Sequence, residues 1–421
     1  MSNDNFDHVR IDGARLWQSL AGMARIGATE RGGVCRLALT DLDRQSRDLF
    51  VDWARAAGCD IRVDRIGNVF ARRAGRNDRL APVLTGSHGD TQPTGGRFDG
   101  IYGVLGGLEV LRTLDDHGIR TDRPLEVALW TNEEGSRFAP AMIGSAVFTG
   151  ASTLDYGLSR QDADGLSLGD ELARIGYAGD EAPGHPLHAA FELHIEQGPI
   201  LEAAGRTIGV VTGAQGQRWY EITFTGVDSH AGTTPMEVRR DALVGLAELV
   251  LFVNRLGHAG APQARATVGR VEVGPNSRNV IPGHAWLTVE FRHPDEAILE
   301  EMDAALRAEV ARIAAAAGLQ SRLEAIFHYA PVPFDPACVA AVRTAATELG
   351  YSRQDIVSGA GHDACHLARS VPTAMIFVPC IDGLSHNEAE DITPAWAEAG
   401  ANVLLRVMLA AASVDRNGSV V

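Results

Sequence analysis

A polar, glycine-rich stretch at residues 86–103 constrains the fold of this chain more than any other part of its sequence. A short apolar run at residues 81–84 precedes it and predicts a buried strand, whereas a glycine-studded amphipathic segment follows it and predicts a helix. The loop between them carries the imidazole of His88 and the carboxylates of Asp90 and Asp99. A His-x-Asp pair suits a metal ligand whose neighbour fixes its orientation, and a second carboxylate can bridge two ions.

The length of 421 residues predicts two domains, because single hydrophobic cores rarely grow beyond about 250–300 residues. The formal net charge of −16 argues against nucleic acid or an anionic membrane as the main partner. The most tempting apolar run, at residues 242–253, is interrupted by Glu248 and predicts a partly buried helix rather than a membrane span. Residues 1–10 are polar and show no signal-peptide core. Five scattered cysteines without C-x-x-C spacing favour a reducing compartment, so we expect a cytoplasmic protein.

Strand-like apolar runs alternate with helical segments along most of the chain. This order predicts an α/β fold with a mainly parallel central sheet flanked by helices. Residues 60–69 alternate in polarity and are predicted as one strand. At residues 214–330 the order changes to β-α-β-β-α, which predicts a smaller inserted α+β domain. The larger domain is therefore predicted in two parts, residues 1–213 and residues 331–421.

Further imidazoles and carboxylates accompany other strand-like runs. Glu133 and Glu134 follow the run at residues 124–130, His194 belongs to the next such run, and His386 follows a later one. The ends of neighbouring parallel strands meet at one edge of a sheet. We therefore expect these side chains to converge with those of the first loop.

Imidazoles and carboxylates together suit zinc, manganese, cobalt or nickel. Five ligands exceed what one tetrahedral ion needs, whereas a bridging carboxylate lets five ligands serve two ions about 3.5–4 Å apart. Of the adjacent residues Glu133 and Glu134, one can bind metal while the other acts as general base and proton shuttle.

Other interpretations of the same residues stay open on spacing alone. Adjacent carboxylates are usually solvated surface charges, His194 between two aliphatic residues fits a hydrogen-bonded core histidine, and His386 fits a turn residue. The glycines at residues 100–107 do not form the G-x-G-x-x-G pattern of nucleotide-binding loops. Ser87 beside a histidine suggests a serine hydrolase, but it stands outside any G-x-S-x-G elbow.

A series of linked motifs resembles the dinuclear-metal amidohydrolases, in order and from about residue 81 to the C-terminal helix. The motifs are GSHGDT, GGRFDGIYGV, TNEEGSRF, ELHIEQGPILE, SHAGTTPMEVRRDA, PNSRNVIPG, SGAGHDA and GLSHNEAE. Within these enzymes the chain is similar to the hydantoinase/carbamoylase group, which comprises N-carbamoyl-L-amino-acid hydrolases, allantoate amidohydrolases and β-ureidopropionases. Related aminoacylases and metallopeptidases carry a carboxylate where His194 stands, which favours the carbamoyl-type branch.

The resemblance implies roles for individual residues. The implied ligands of two divalent ions are His88, Asp99 as the bridging ligand, Glu134, His194 and His386. It also implies Glu133 as the catalytic base and Asp90 as the partner that orients the first histidine. The implied substrate residues are Gln197, His230, Asn279 and Arg292, together with main-chain amides at residues 358–361 that include Gly359 and Gly361. His230 would also donate to the developing oxyanion. Arg292 stands in the sequence Glu-Phe-Arg, a mild departure from the common Asp-x-Arg.

The implied activity is hydrolysis of the ureido group of an N-carbamoyl-L-amino acid to the amino acid, CO2 and ammonia. Allantoate or N-carbamoyl-β-alanine is the alternative substrate, and a non-catalytic small-ligand-binding protein is the alternative class. A binding protein would be expected to lose ligands, whereas all of the candidate ligands are present here. The resemblance also implies that the inserted domain acts as a lid and joins two copies of the chain into a homodimer.

Overall fold

The computed structural model of this protein describes Phe6 and residues 8–413. It divides into two compact units, Met1–Thr212 with Pro333–Val421 and, between them in sequence, Gly213–Val332. The insert predicted at residues 214–330 corresponds to the second unit, and its role as a lid stays a prediction. Of the polar N-terminal segment, residues 1–5 and 7 lie outside the described residues.

The elements follow in chain order. The helices are α1 (Gly13–Met23), α2 (Asp41–Ala56), α3 (Ile101–Asp116), α4 (Ile143–Phe148), α5 (Leu154–Leu158), α6 (Leu168–Ile175), α7 (Ile200–Ala203), α8 (Ala242–Ala259), α9 (Glu296–Ala317), α10 (Pro336–Glu348), α11 (Asp363–Leu367) and α12 (Pro394–Ala412). The strands are β1 (Asp60–Val63), β2 (Val69–Arg73), β3 (Val83–His88), β4 (Leu125–Trp130), β5 (Ala189–Ile195), β6 (Ile208–Ala214), β7 (Gly216–Thr225), β8 (Ser229–His230), β9 (Arg265–Gly274), β10 (Val280–Ile281), β11 (His284–His293), β12 (Gln320–Tyr329), β13 (Val332–Pro333), β14 (Arg353–Ser358) and β15 (Thr373–Val378).

The larger unit is built on a nine-stranded sheet in the order β1-β2-β4-β3-β5-β15-β6-β13, with β14 paired to β6. The central strands β4, β3, β5 and β15 are parallel, whereas β1-β2, β2-β4 and β15-β6 are antiparallel. Every residue of the four central strands is buried, as expected for strands covered on both faces. The predicted α/β fold with a mainly parallel central sheet is therefore confirmed.

Residues 60–69, predicted as one strand, form an antiparallel hairpin of two strands instead. The carboxylate of Asp64 accepts hydrogen bonds from the main-chain N–H groups of Ile66 and Asn68, at 3.1 and 2.9 Å. Gly67 adopts a φ of +85°, which a side chain would disfavour. The single-strand prediction was wrong because the hydrogen bonds of Asp64 and the left-handed conformation of Gly67 turn the chain back between the two strands.

Two glycines let helix α3 begin beside the predicted metal loop. Gly100 has a φ of +65°, and a Cβ atom there would lie 2.4 Å from the ring of His88. A Cβ atom on Gly103 would lie 2.2 Å from the main-chain oxygen of Leu193 in β5. The absence of side chains therefore allows the helix to pack directly on the strands that carry the candidate ligands.

The second unit is a four-stranded antiparallel sheet in the order β12-β7-β11-β9, against which α8 and α9 pack. Alternate residues of β11, such as Leu287 and Phe291, are buried in a core shared with both helices. Three of the four strands were predicted from the sequence. Strand β12 was not, because it lies at the sheet edge with mostly exposed residues and so lacks an apolar alternation.

Helix Ala242–Ala259 is long and apolar enough to cross a membrane by length and composition alone, with a mean hydropathy of 1.4. It packs on the sheet of the second unit through residues that include Leu249 and Val253. Its other face leaves Val244 and Leu251 exposed. This arrangement fits the partly buried helix predicted from the sequence.

Helix α2 carries two ion pairs of the same i,i+4 spacing in different surroundings. Arg47 Nε lies 2.9 Å from Asp43 Oδ2 with both side chains buried, whereas Arg44 Nε lies 3.6 Å from Asp48 Oδ2 with both side chains about half exposed. We expect Arg47→Met to lower the free energy of unfolding by about 3–5 kcal/mol, because Asp43 stays buried without its cation. Arg44→Met, the matched control, should lower it by less than about 1 kcal/mol. Urea unfolding measures both, and equal effects would contradict the burial argument.

Candidate metal centre

The strand ends bring the predicted donors together. His88 is the last residue of β3, His194 lies one residue before the end of β5, and Glu133 follows the end of β4 by three residues. His386 lies on the loop after β15, and Asp99 lies on the loop between β3 and α3. Since β4, β3, β5 and β15 are parallel neighbours, these loops lie at one edge of the sheet.

A first donor group consists of His88, Asp99 and His194, whose ligand atoms lie within 4.8 Å of one another. Asp99 Oδ1 lies 3.2 Å from Nε2 of His194 and 3.7 Å from Nε2 of His88. All three side chains are buried. One carboxylate oxygen therefore faces two imidazole nitrogens, which is a donor set suited to a divalent transition-metal ion.

A second donor group consists of Asp99, Glu134 and His386. Nε2 of His386 lies 3.4 Å from Asp99 Oδ2 and 3.4 Å from Glu134 Oε2. Gln92 holds Glu134 from the other side, since its main-chain N–H donates to Oε1 at 3.1 Å and its amide to Oε2 at 2.7 Å. Asp99 thus directs one oxygen to each group, in the position that a bridging ligand needs.

The imidazole rings of the first group are held by main-chain carbonyl groups. Nδ1 of His88 lies 2.9 Å from the carbonyl oxygen of Asp90, and Nδ1 of His194 lies 2.9 Å from that of Ile195. A carbonyl oxygen only accepts, so each neutral ring carries its proton on Nδ1 and directs the Nε2 lone pair towards Asp99. This is the tautomer that metal ligation through Nε2 requires.

Asp90 makes its contact with His88 through the main chain, not through its carboxylate. The carboxylate instead accepts hydrogen bonds from the main-chain N–H groups of Glu133 and Glu134, both at 3.3 Å. Asp90 therefore links the loop after β3 to the turn after β4. Asp90 contacts both donor loops, and its predicted roles in orienting His88 and in catalysis stay predictions.

Burial and mutual repulsion affect the charges of this cluster. The pKa of Glu133 is raised well above its usual value by burial, then by the nearby carboxylates of Asp363 and Glu134. Burial and the charge of Asp99 likewise raise the pKa of Glu134. Burial lowers the pKa of His88 to about 4, which keeps that ring neutral. Divalent cations would let these crowded carboxylates ionise together at neutral pH, so the donor set fits such cations.

Glu133 lies beside the two donor groups without belonging to either of them, among the residues that the structure describes. Its Oε2 lies 3.5 Å from Nε2 of His88, and its side chain is buried. The adjacent carboxylate of Glu134 faces His386. The carboxylate of Glu134 therefore belongs to a donor group, whereas that of Glu133 lies beside His88 outside both groups, and the role of Glu133 as general base stays a prediction.

Gln197 lies at the same edge, two residues after the end of β5. Its amide nitrogen donates to Asp99 Oδ2 at 3.0 Å and lies 3.5 Å from Nε2 of His386. Its main chain has a φ of +58°, and His386 has a φ of +53°, values that non-glycine residues seldom adopt. Such strained residues are common at functional sites.

The loop at residues 358–361 packs next to the first donor group. The hydroxyl of Ser358 accepts from the main-chain N–H of Ala360 at 3.1 Å and lies 2.9 Å from Nε2 of His362. The His362 ring stands edge-on to that of His194, with ring centroids 4.6 Å apart. Gly359 and Gly361 therefore lie on a loop that contacts the centre through this histidine, and their substrate role stays a prediction.

The other predicted substrate residues lie in the second unit. His230 is in β8, and its Nδ1 accepts main-chain N–H groups two and three residues later, which leaves its ring proton on Nε2 as a donor. The main-chain carbonyl oxygen of Asn279 accepts a hydrogen bond from the main-chain N–H of Ala231 at 2.9 Å, so Asn279 is held next to β8. Arg292 is in β11 and forms an ion pair with Glu290.

Among the described residues, sequence reasoning missed three whose side chains form hydrogen bonds with the ligands. They are Gln92, which binds Glu134, and Ser385 and Glu390, which contact Asp99. Ser385 and Glu390 stand inside the motif GLSHNEAE, Gln92 directly follows the motif GSHGDT, and each lies within four residues of a ligand. Their residue types gave no signal, because an amide, a hydroxyl and a carboxylate on a polar loop usually face solvent.

Comparison with known proteins agrees with this geometry. Residues 84–410 match the family described as peptidase family M20/M25/M40. The chain is 50% identical over 409 residues to an N-carbamoyl-L-amino-acid amidohydrolase of Rhizobium meliloti, covering 97% of this chain and 98% of the relative. It is 34% identical over 385 residues to an allantoate amidohydrolase of Bacillus subtilis, covering 91% and 93%.

A solved structure shows the same similarity. An amidase of the hydantoinase/carbamoylase family from Burkholderia multivorans superimposes with a TM-score of 0.94 and is 68% identical in sequence. The match covers 96% of this chain and 99% of that one. The likeness therefore extends over both units of the chain.

The shared position of Asp99 predicts unequal effects of two ligand substitutions. We expect Asp99→Ala to abolish tight binding of divalent cations, because both donor groups lose a ligand. His386→Ala should leave the first group intact and keep about half of the bound cation. Elemental analysis of the purified variants after dialysis measures this, with Asp115→Ala on the exposed end of α3 as the control. Equal losses in the two variants would contradict a bridging position for Asp99.

Proposed function

Because this chain belongs to peptidase family M20/M25/M40 and, within it, to the hydantoinase/carbamoylase amidases, we propose that it hydrolyses the carbamoyl C–N bond of N-carbamoyl-L-amino acids. The products are the amino acid and carbamate, which decays to CO2 and ammonia. The observation that carries this proposal is the pair of donor groups that share Asp99, with the carboxylate of Glu133 beside them at 3.5 Å from Nε2 of His88. The identity of 50% to the Rhizobium meliloti amidohydrolase supports the choice of substrate.

The enzyme is a metal-dependent hydrolase, and we propose that it binds two divalent cations of zinc, manganese, cobalt or nickel. His88 and His194 would hold one, Glu134 and His386 the other, and Asp99 both. When bound, the cations would polarise the ureido carbonyl and activate a water molecule at neutral pH.

The residues of the chain move the proton and position the substrate. Glu133 takes up the proton of the attacking water and passes it to the nitrogen of the departing amino acid. Burial raises its pKa, which suits a group that must both accept and release a proton. Gln197 keeps its Oε1 without a hydrogen-bond partner among the described residues. This atom is available to accept an N–H of a ureido group, which supports its proposed substrate role.

We propose that the polar residues of the second unit bind the rest of the substrate. Arg292 offers a planar fork that matches a carboxylate, and Asn279 offers an amide donor. His230 carries its proton on Nε2, so it can donate to the oxyanion of the tetrahedral intermediate.

Allantoate is the second candidate substrate, because it carries the same ureido group on a carboxylic acid. The relative of Bacillus subtilis that acts on it is 34% identical, against 50% for the carbamoyl-type relative. The difference in identity favours N-carbamoyl-L-amino acids.

A substrate panel tests the proposal, with ammonia release from N-carbamoyl-L-methionine, N-carbamoyl-β-alanine and allantoate as the measurement. We expect the highest kcat/KM for N-carbamoyl-L-methionine.

Glu133→Gln should keep its bound cations and lose roughly 10²- to 10⁴-fold in kcat, because it removes the proton acceptor. Glu301→Gln, on the exposed face of α9, is the matched control. A faster reaction with allantoate would support the second candidate, and unchanged kcat in Glu133→Gln would refute the role of the base.

We propose that two copies of the chain form a homodimer through the second unit. Strand β9 lies at an edge of the sheet and pairs only with β11 among the described strands. Its Val271 is exposed, as are Leu243, Val244 and Leu251 on the neighbouring helix α8. An unpaired strand edge beside exposed aliphatic side chains is typical of an interface.

Charge substitution on α8 tests the dimer. We expect the double variant Val244→Glu, Leu251→Glu to sediment as a monomer where the unmodified protein sediments as a dimer, because buried like charges oppose association. Leu42→Glu, at an exposed leucine of the larger unit, should stay dimeric. A dimer in the double variant would place the interface elsewhere.

We also propose a cytoplasmic location. All five cysteines are free thiols, as is usual in a reducing compartment.

A further inference from the structure

Glu390 lies beneath the loop that carries Asp99. Its Oε1 accepts the main-chain N–H groups of Phe98, at 3.1 Å, and of Asp99, at 3.0 Å. Its side chain is buried, with 1% of the residue exposed. Gly96 makes room for it, since a Cβ atom there would lie 2.0 Å from the Glu390 carboxylate. The metal loop is therefore shaped around this glutamate.

Ser385 connects Glu390 to the ligand side chains. Its hydroxyl lies 3.0 Å from Glu390 Oε2 and 3.2 Å from Asp99 Oδ2. Asp99 Oδ2 is the oxygen that faces His386 in the second donor group, whereas Oδ1 faces His194 in the first. Ser385 thus contacts the half of Asp99 that serves the second group, and Glu390 holds both Ser385 and the main chain of Asp99.

The two groups differ in how their histidines are supported. His88 and His194 belong to the central strands β3 and β5, which fix their positions through the sheet. His386 lies on an irregular loop, with a φ of +53° and a side chain 49% exposed. The sheet does not fix the position of His386, so this ligand depends on contacts made by its own loop. Ser385, which directly precedes His386, is placed to make such contacts.

We propose that Ser385 and Glu390 form a clamp, the Ser385–Glu390 clamp, which holds Asp99 Oδ2 and His386 in place and sets the affinity of the second cation site. Both are positioning residues, since they contact ligands and not the reacting atoms. The inference rests on the proposed binding of two cations. It predicts that disturbing the clamp weakens one of the two cation sites and spares the other.

Calorimetric titration of the chelator-treated, full-length protein with Mn²⁺ tests the clamp. For Ser385→Ala we expect the Kd of one site to stay within about threefold of its value in the unmodified protein. The affinity of the other site, which we assign to the second donor group, should fall about 10- to 100-fold, the usual effect of removing a partner of a metal ligand. Glu390→Gln keeps an oxygen for the two N–H groups, so its effect should be smaller than that of Glu390→Ala. Gly96→Ala, which displaces Glu390 without removing its carboxylate, should reproduce the selective loss.

Two controls separate positioning from general stability. Ser19→Ala removes a buried hydroxyl that bonds Arg112, and Glu126→Gln alters a buried carboxylate at the far end of β4. Both should bind two cations as the unmodified protein does. Equal weakening of both sites in Ser385→Ala, or no change at either site, would overturn the clamp. Fewer than two sites in the unmodified protein would instead refute the proposed two-cation function.

Discussion

One buried carboxylate, that of Asp99, is the interaction on which the rest of the centre depends. Its two oxygens face His194 on one side and His386 on the other. Burial raises its pKa, but the hydrogen bond and the positive charge that a protonated His194 supplies outweigh burial and lower it, so the group stays ionised. An ionised carboxylate in a buried place is stable only among positive or hydrogen-bond-donating partners. The surrounding loops therefore have to converge on it.

The fold provides that convergence through parallel strands and small residues. Parallel register places the ends of β3, β4, β5 and β15 side by side, so that each following loop begins at the same edge. Gly100 and Gly103 let α3 begin against His88 and β5 without a side chain between them. Substituting either would push the helix away from the ligands, because the nearest atoms belong to the ligand ring and the main chain.

The supporting residues divide between the two halves of the centre. Main-chain carbonyls orient the strand-borne histidines, whereas side chains of Gln92, Ser385 and Glu390 contact Glu134 and Asp99. Strand-borne ligands gain order from the sheet, and loop-borne ligands gain it from polar side chains. The loop after β5 carries the strained residue Gln197, next to the proposed ureido site.

The sequence by itself determined the kinds of residue available, the parallel sheet and the inserted unit, because apolar runs followed by polar donors are local patterns. Only the tertiary structure decided which atoms meet. The carboxylate of Asp90 reaches the turn at Glu133, and Glu390 reaches the N–H of Asp99 across 291 positions of the chain. Such contacts depend on how loops that are distant in sequence pack together in space, so a local pattern of polarity does not predict them.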